Sequence, residues 1–164
     1  MLFIKPASEK DATLIADISR ETFVDTFAAQ NTEANMQKFL AEQFSREMLM
    51  AEPGKPNHFF YLAIQDTVPA GYLFLKDEPA LDSMEISRIY VRKPFIGKGA
   101  GRLLMETAIS FAKTRNKTSL WLGVWEQNHR AIRFYESFGF KKFSEHDFIL
   151  GDDLQCDWLM KLIL

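Results

Sequence analysis

The chain has 164 residues, 47% of them apolar and 26% charged, with a formal net charge of −2. That mix belongs to a soluble globular protein and rules out disorder as the dominant state. At this length it predicts one domain, residues 1–164, able to bury its own core. The slight acidity argues against a nucleic-acid partner, and the single cysteine, Cys156, excludes an internal disulfide or a cysteine-held zinc. There is no signal-peptide pattern at Met1–Lys5 and no apolar run near the ~20 residues of a membrane span, so a cytoplasmic protein without membrane contact is expected.

Leu2 to Lys5 is a short apolar run closed by Pro6, which predicts a first strand. Ser8 with Asp11 three residues on resembles a capping box, and Leu14, Ile15, Ile18, Phe23 and Phe27 follow at helical spacing, predicting a helix over about 8–29. Asn31 or Thr32 can cap a second helix, and Ser45 a third, short one that stops at Pro53-Gly54. The period then changes. Phe59–Ile64 and Tyr72–Leu75 read as strands joined through turn chemistry at Val68-Pro69-Ala70-Gly71. Met84–Val91 alternates as a strand until Pro94, a glycine-rich turn at 97–101 opens an apolar helix, and Leu120–Trp125 is a strand. Asn128–Phe138 is a helix ended by Gly139, and Phe143–Leu150 and Leu154–Ile163 are two closing strands. Strands interleaved with helices predict an α/β fold, a mixed sheet with helices on its faces.

The segment Ile96-Gly97-Lys98-Gly99-Ala100-Gly101-Arg102 lies between a strand and a helix. Alternating glycines let backbone N–H groups approach a ligand, and the helix start adds unpaired N–H groups and its positive dipole end. Lys98 and Arg102 add charge, so the turn suits a phosphate or pyrophosphate. It lacks the Gly-Lys-[Ser/Thr] of a P-loop, and no third glycine falls where the dinucleotide fingerprint needs one. What remains is a plain glycine-rich turn or the pyrophosphate loop of an enzyme that uses an acyl-CoA.

Asn128 and Tyr135 are seven residues apart, hence two turns apart on one helix face. A phenol of pKa ~10 can hydrogen-bond or protonate a thiolate of pKa ~8.5. Equally, Asn128 can be a helix cap and Tyr135 a packing residue.

Taken together, the strand Met84–Val91, the Gly97–Gly101 turn with its helix, and Asn128, Ala131, Tyr135 and Gly139-Phe140 resemble the GNAT family of N-acetyltransferases in order and spacing over about residues 59–150. The resemblance implies a mixed, mostly antiparallel sheet of about six to seven strands with helices on both faces, and acetyl-CoA as cosubstrate. It implies that Ile96, Gly97, Lys98, Gly99, Ala100, Gly101 and Arg102 hold the pyrophosphate, that the strand end Ile89, Tyr90 and Val91 pairs with the pantetheine arm, that Asn128 contacts the cofactor, and that Tyr135 protonates the departing thiolate. The family's usual opening Arg or Gln is Ile96 here, so only its main-chain N–H can serve. A narrower similarity, to PaiA-type spermidine/spermine acetyltransferases, rests on Glu21–Phe27 with Gln30-Asn31, on Trp121–Asn128, and on Gly151-Asp152 with Gln155 and Asp157. It implies a polyamine acceptor.

An alkylamine of pKa ~10.4 is neutral in only about one molecule in ~2,500 at pH 7, a cost of ~4.6 kcal/mol that a base can help to meet. Glu85, on the strand before the glycine turn, is the first candidate, and Glu126 at the strand–helix junction the second. A polyamine site should offer separated carboxylates and aromatic walls. Glu21 and Asp25, four apart on one helix face, and Asp152, Asp153 and Asp157 between the last strands are candidates, with Glu126. Cys156 has no basic neighbour in sequence and reads as an inert thiol. His58, His129 and His146 show no ligand spacing, so no metal is expected. The partner is then a small-molecule amine, and a homodimer is permitted by the aromatic content without being required by it. The other readings are the same chemistry on a protein N-terminus, an amino acid or a drug, or a CoA-binding regulator without catalysis.

Overall fold

The computed structural model describes residues 1–164. Seven strands, β1 (Leu2–Ala7), β2 (His58–Gln65), β3 (Val68–Asp77), β4 (Ser83–Val91), β5 (Ser119–Trp125), β6 (Lys141–Leu150) and β7 (Asp153–Ile163), form one sheet in the order β1-β2-β3-β4-β5-β7-β6. Every neighbouring pair is antiparallel except β4–β5, which is parallel. Five helices, α1 (Ala12–Phe27), α2 (Glu33–Glu42), α3 (Arg46–Ala51), α4 (Ala100–Thr114) and α5 (His129–Ser137), cover the two faces. This is the mixed, mostly antiparallel sheet with helices on both sides that the sequence implied.

The helix starts follow local chemistry. Ser8 N–H donates to Asp11 and the Ser8 hydroxyl accepts from Lys10 N–H, although the box opens a single 3-10 turn before α1 begins. Thr32 and Ser45 cap α2 and α3. On one sheet face, α4 and α5 bury Leu104, Met105, Ile132 and Tyr135 against strand residues such as Leu75, Ile86 and Leu122. On the other, Ile15 and Ile18 of α1 pack on Phe60, Leu62, Tyr72 and Phe74. A third cluster joins Phe23 and Phe27 to Met36, Leu40, Trp125 and Leu150.

Two expectations about strand ends are corrected. Pro6 does not end β1; it sits inside it, paired with Tyr61. β1 is the sheet's edge, where a proline is tolerated because a strand there has a neighbour on one side alone. The β2–β3 turn is not at Val68–Gly71 but at Asp66 and Thr67, whose φ values of 48° and 74° make a tight two-residue turn. Pro69 falls beside the register shift at Ala63/Ile64, where a ladder bond is already interrupted. Gly71 is in the strand because a Cβ there would lie 2.5 Å from the Tyr90 carbonyl oxygen. Its sequence signal is close approach rather than turning.

The parallel pairing of β4 with β5 runs only from Ser83–Ser119 to Ile86–Leu122. Immediately beyond it, Ser87 is an extra residue in β4, since Phe74 pairs with Arg88 and Leu75 with Ile86. Such a bulge bends the strand. Past this point the outer halves of β4 and β5 run on unpaired with each other and enclose a wedge-shaped cleft. Below it, buried Lys117 and Asp77 pair at 2.6 Å, and the Lys117 ammonium also donates to the Leu81 carbonyl.

Replacing Gly71 by Ala forces Cβ into the β4 backbone. Urea unfolding should show a loss of about 3 kcal/mol, the upper range for overpacking; an unchanged midpoint would show that the two strands can separate there freely.

Candidate active site

The cleft is bounded by the ends of four elements. β4 leads into a single 3-10 turn, Lys93–Phe95, and then into the glycine turn. Gly97 and Gly99 have φ of 83° and 97°, in the left-handed region that favours glycine, and Gly99 is the residue from which α4 starts. The first intrahelical bond runs from Leu103 N–H to Gly99 C=O at 3.1 Å. The N–H groups of Ala100, Gly101 and Arg102 therefore have no partner in the helix. A Cβ on Gly97 would meet nothing within 4 Å, so the space over the turn is open. Open space above unpaired amides at a helix start fits a pyrophosphate. Lys98 is exposed beside it, and Arg102 is exposed and paired with Glu106 at 3.0 Å. Ile96 is partly buried, and its N–H is spanned by a long bond of 3.4 Å to Lys93 C=O.

Ile89, Tyr90 and Val91 form the free outer half of β4, with their main-chain groups on the β5 side unmatched by that strand. Two ion pairs tie this half to the helical layer. Arg88 pairs with Glu52 and lies 4.8 Å over the Phe74 ring and 5.2 Å over Phe44. Arg92 pairs with Glu21 at 2.8 Å and also donates to the Pro69 carbonyl. The β5 side is held elsewhere: Trp125 lies 4.8 Å from the Phe27 ring, within the α1–α2 aromatic cluster.

Asn128 caps α5, its Oδ1 accepting from Ala131 N–H at 3.2 Å. The capping expectation is met, and its amide N–H₂ is left over for other work. Two turns on, Tyr135 is buried, within 5.9 Å of Phe140 and 5.6 Å of Phe134, ring to ring. Burial pushes its phenol above the ordinary value, and no hydrogen bond within the chain answers its hydroxyl. Tyr90 is pushed up too, first by burial and then by the neighbouring phenols of Tyr135 and Tyr72. Tyr90 packs against the α1-side cluster and stacks on Tyr72 at 6.1 Å, whereas Tyr135 belongs to the α4–α5 core.

The carboxylates named from sequence are dispersed. Glu85 is half-buried at the cleft's vertex, on the rung it shares with Trp121, and burial raises its carboxyl although Lys76 and His58 pull the other way. Glu21 is engaged by Arg92, and Asp152 by Lys38 at 2.6 Å, with Asp152 N–H donating to Asn35. Asp25 is exposed on α1. Glu126 follows β5, where its N–H donates to the Cys156 carbonyl. Asp157 does not lie between the last strands but inside β7, opposite Trp125. Burial lifts its carboxyl to about 6, against a lowering by His146. The Cys156 thiol is pushed up by burial and by nearby carboxylates, as an unreactive thiol would be.

An open sheet whose fourth and fifth strands part beside a glycine turn defines a class, and the sequence comparison agrees: the acetyltransferase (GNAT) family matches over residues 17–140. The chain belongs to that family and is an acetyl-CoA-dependent N-acetyltransferase. It is 44% identical to an uncharacterized N-acetyltransferase encoded in the pepI 3′ region of Lactobacillus delbrueckii subsp. lactis, over 98% of this chain and 96% of that one. It is 25% identical to the spermidine N(1)-acetyltransferase of Thermoplasma acidophilum, over 84% of this chain and 87% of the relative. Among solved structures, the PaiA N-acetyltransferase of Thermoplasma acidophilum, crystallised with coenzyme A, superposes with a TM-score of 0.82 at 23% identity, covering 100% and 99% of the two chains.

All four tyrosines, Tyr61, Tyr72, Tyr90 and Tyr135, have phenols raised by burial. A raised folded-state value gives stability that is intact below the unfolded value, ~10, and is lost as pH rises toward the folded one. Ultraviolet difference titration should therefore show almost no phenolate near pH 10, then a cooperative rise as the fold melts; a normal phenol titration without melting would contradict the buried placement.

Proposed function

We propose that the protein transfers the acetyl group of acetyl-CoA directly to a primary amine of a polyamine of the spermidine or spermine kind. The observation that carries this reading is the parting of β4 and β5, with unpaired helix-start amides on one side and half-buried carboxylates on the other. The similarity to a spermidine N(1)-acetyltransferase over most of the chain supports the acceptor class.

In this reading the amides of Gly97 to Arg102, with Lys98 and Arg102 alongside, hold the pyrophosphate. The free edge of Ile89, Tyr90 and Val91 pairs with the amides of the pantetheine arm, as an added strand would. The Asn128 amide lies at the mouth and contacts the cofactor. Bound acetyl-CoA supplies an activated acyl carbon and a thiolate leaving group. A carboxylate must take one proton from the ammonium; Glu85, at the vertex, serves through a water, with Glu126 as an alternative. The neutral amine attacks, and its nitrogen then carries a surplus proton. Tyr135, kept protonated by burial, gives its proton to the sulphur and takes that surplus proton in return. Coupling the two transfers matters, because donation alone from a raised phenol to a thiolate of pKa ~8.5 runs uphill. At the rim, Asp25 and Glu126 are free of ion pairs and carry the acidic acceptor path. Glu21 and Asp152 contribute after sharing charge with Arg92 and Lys38.

Release of CoA thiol, measured with spermidine, spermine, putrescine, lysine, an aminoglycoside and a short peptide, should be selective for the polyamines. Selectivity for another amine would discard the polyamine acceptor. Tyr135→Phe should lower kcat by about 100-fold with acetyl-CoA affinity retained; an unchanged kcat would remove Tyr135 from the proton path.

A further inference from the structure

Among the acidic-site candidates, Asp157 has a placement that suits the proton transfer itself. Asp157 stands on β7, opposite Trp125 of β5 and His146 of β6. Its Oδ2 lies 3.3 Å from where a Cβ on Gly123 would be. Gly123 is exposed although β5 is an inner strand and its neighbours Leu122 and Val124 are buried. The absent side chain leaves a window in the sheet, and the Asp157 carboxylate reaches over it. This window is the first residue of β5 beyond its last rung with β4, so it opens where the cleft opens. Glu85, by contrast, belongs to the still-paired rung of Trp121.

No cation neutralises Asp157, which joins none of the chain's ion pairs. Lys161, on the same strand face, is turned onto the Phe143 ring at 4.8 Å. The groups facing this region are His146 on β6, Tyr90 on β4 with Arg88 and the Arg92–Glu21 pair beyond it, and Asp153 and Lys161 on β7 itself, while Tyr135 packs with the α4 and α5 core. The helical layer offers the apolar cluster around Trp125. A half-buried carboxylate with the neutral phenol of Tyr90 nearby and no cation is suited to receive an ammonium.

We propose that Asp157 receives the acceptor's ammonium at the Gly123 window and is the group that takes its proton. This rests on the acetyltransfer reading above and moves the proton acceptor from Glu85 to Asp157. The ammonium and carboxylate become neutral amine and carboxylic acid, an exchange that a desolvated site favours because two charges vanish. The nitrogen lone pair then forms the C–N bond and the C–S bond breaks; Tyr135 gives its proton to the departing sulphur and takes the nitrogen's surplus proton in return. Asp157 releases its own proton to water through the exposed window. Its raised carboxyl narrows the gap to an amine of pKa ~10.4 by about two pH units relative to an ordinary aspartate.

The test is kcat/KM for spermidine against pH, with acetyl-CoA affinity measured by calorimetry as the check on folding. Wild type should lose activity as pH falls through about 6, where Asp157 protonates. Asp157→Asn should lower kcat/KM by roughly 100-fold, abolish that acidic limb and keep acetyl-CoA binding; Asp157→Glu should recover part of the loss. Glu85→Gln should keep the limb. If Asp157→Asn stays within about threefold of wild type with its limb intact, or the limb disappears in Glu85→Gln instead, the assignment is overturned while the acetyltransfer stands. If wild type acetylates a different amine, the polyamine reading falls, and the same comparison on that amine decides the role of Asp157.

Discussion

The parallel pairing of β4 with β5 stops after Ile86 and Leu122, and the site depends on that stop. Backbone N–H and C=O groups seek partners, so two adjacent strands left alone would go on pairing. Here each is held apart from the other by its own anchors. The bulge at Ser87 bends β4, and Arg88 and Arg92 bind its outer half to Glu52 and Glu21 in the helical layer. Trp125 secures β5 in a different place, among the rings of α1 and α2. The result is a preformed slot whose edge can accept a ligand's amides without the sheet being rebuilt, the condition for pre-organised binding.

The two sides of that slot are built from different materials. The cosubstrate side is local in sequence: β4, the glycine turn and the start of α4 run continuously from Ser83 to Thr114. The acceptor side is assembled from α1, α2, β5 and β7, which lie far apart in the chain. A family can therefore keep the first while varying the second, which is why fold alone does not name an acceptor.

This division also explains what could be read from the residues in order. The glycine turn, the caps at Ser8, Thr32 and Ser45, the Asn128 cap and the spacing to Tyr135 depend on neighbours within a few positions, and they appear in the structure where their patterns put them. Gly71 and Pro69 mimic a turn because their reasons lie elsewhere, in the carbonyl of Tyr90 and in a bulge at Ala70 of β3. Pro6 could be understood only once β1 was known to be an edge. Glu21 and Asp152 read as free carboxylates, yet Arg92 and Lys38, many residues away, occupy them. Gly123 carries a local signal as well, since a glycine within an apolar strand marks a bulge or a close approach. Its meaning needs Asp157, which only the β5–β7 register brings across.

The buried Asp77–Lys117 pair, with Arg115 on its rim at 3.1 Å, lies beneath the vertex, while the Glu21–Arg92 pair is partly open to water. Dissolved ions screen charges that water reaches and barely touch those it does not. Added salt therefore weakens the Glu21–Arg92 contact before it reaches the Asp77–Lys117 pair, and the Arg88–Glu52 pair, itself largely buried, keeps the outer half of β4 in place in strong brine.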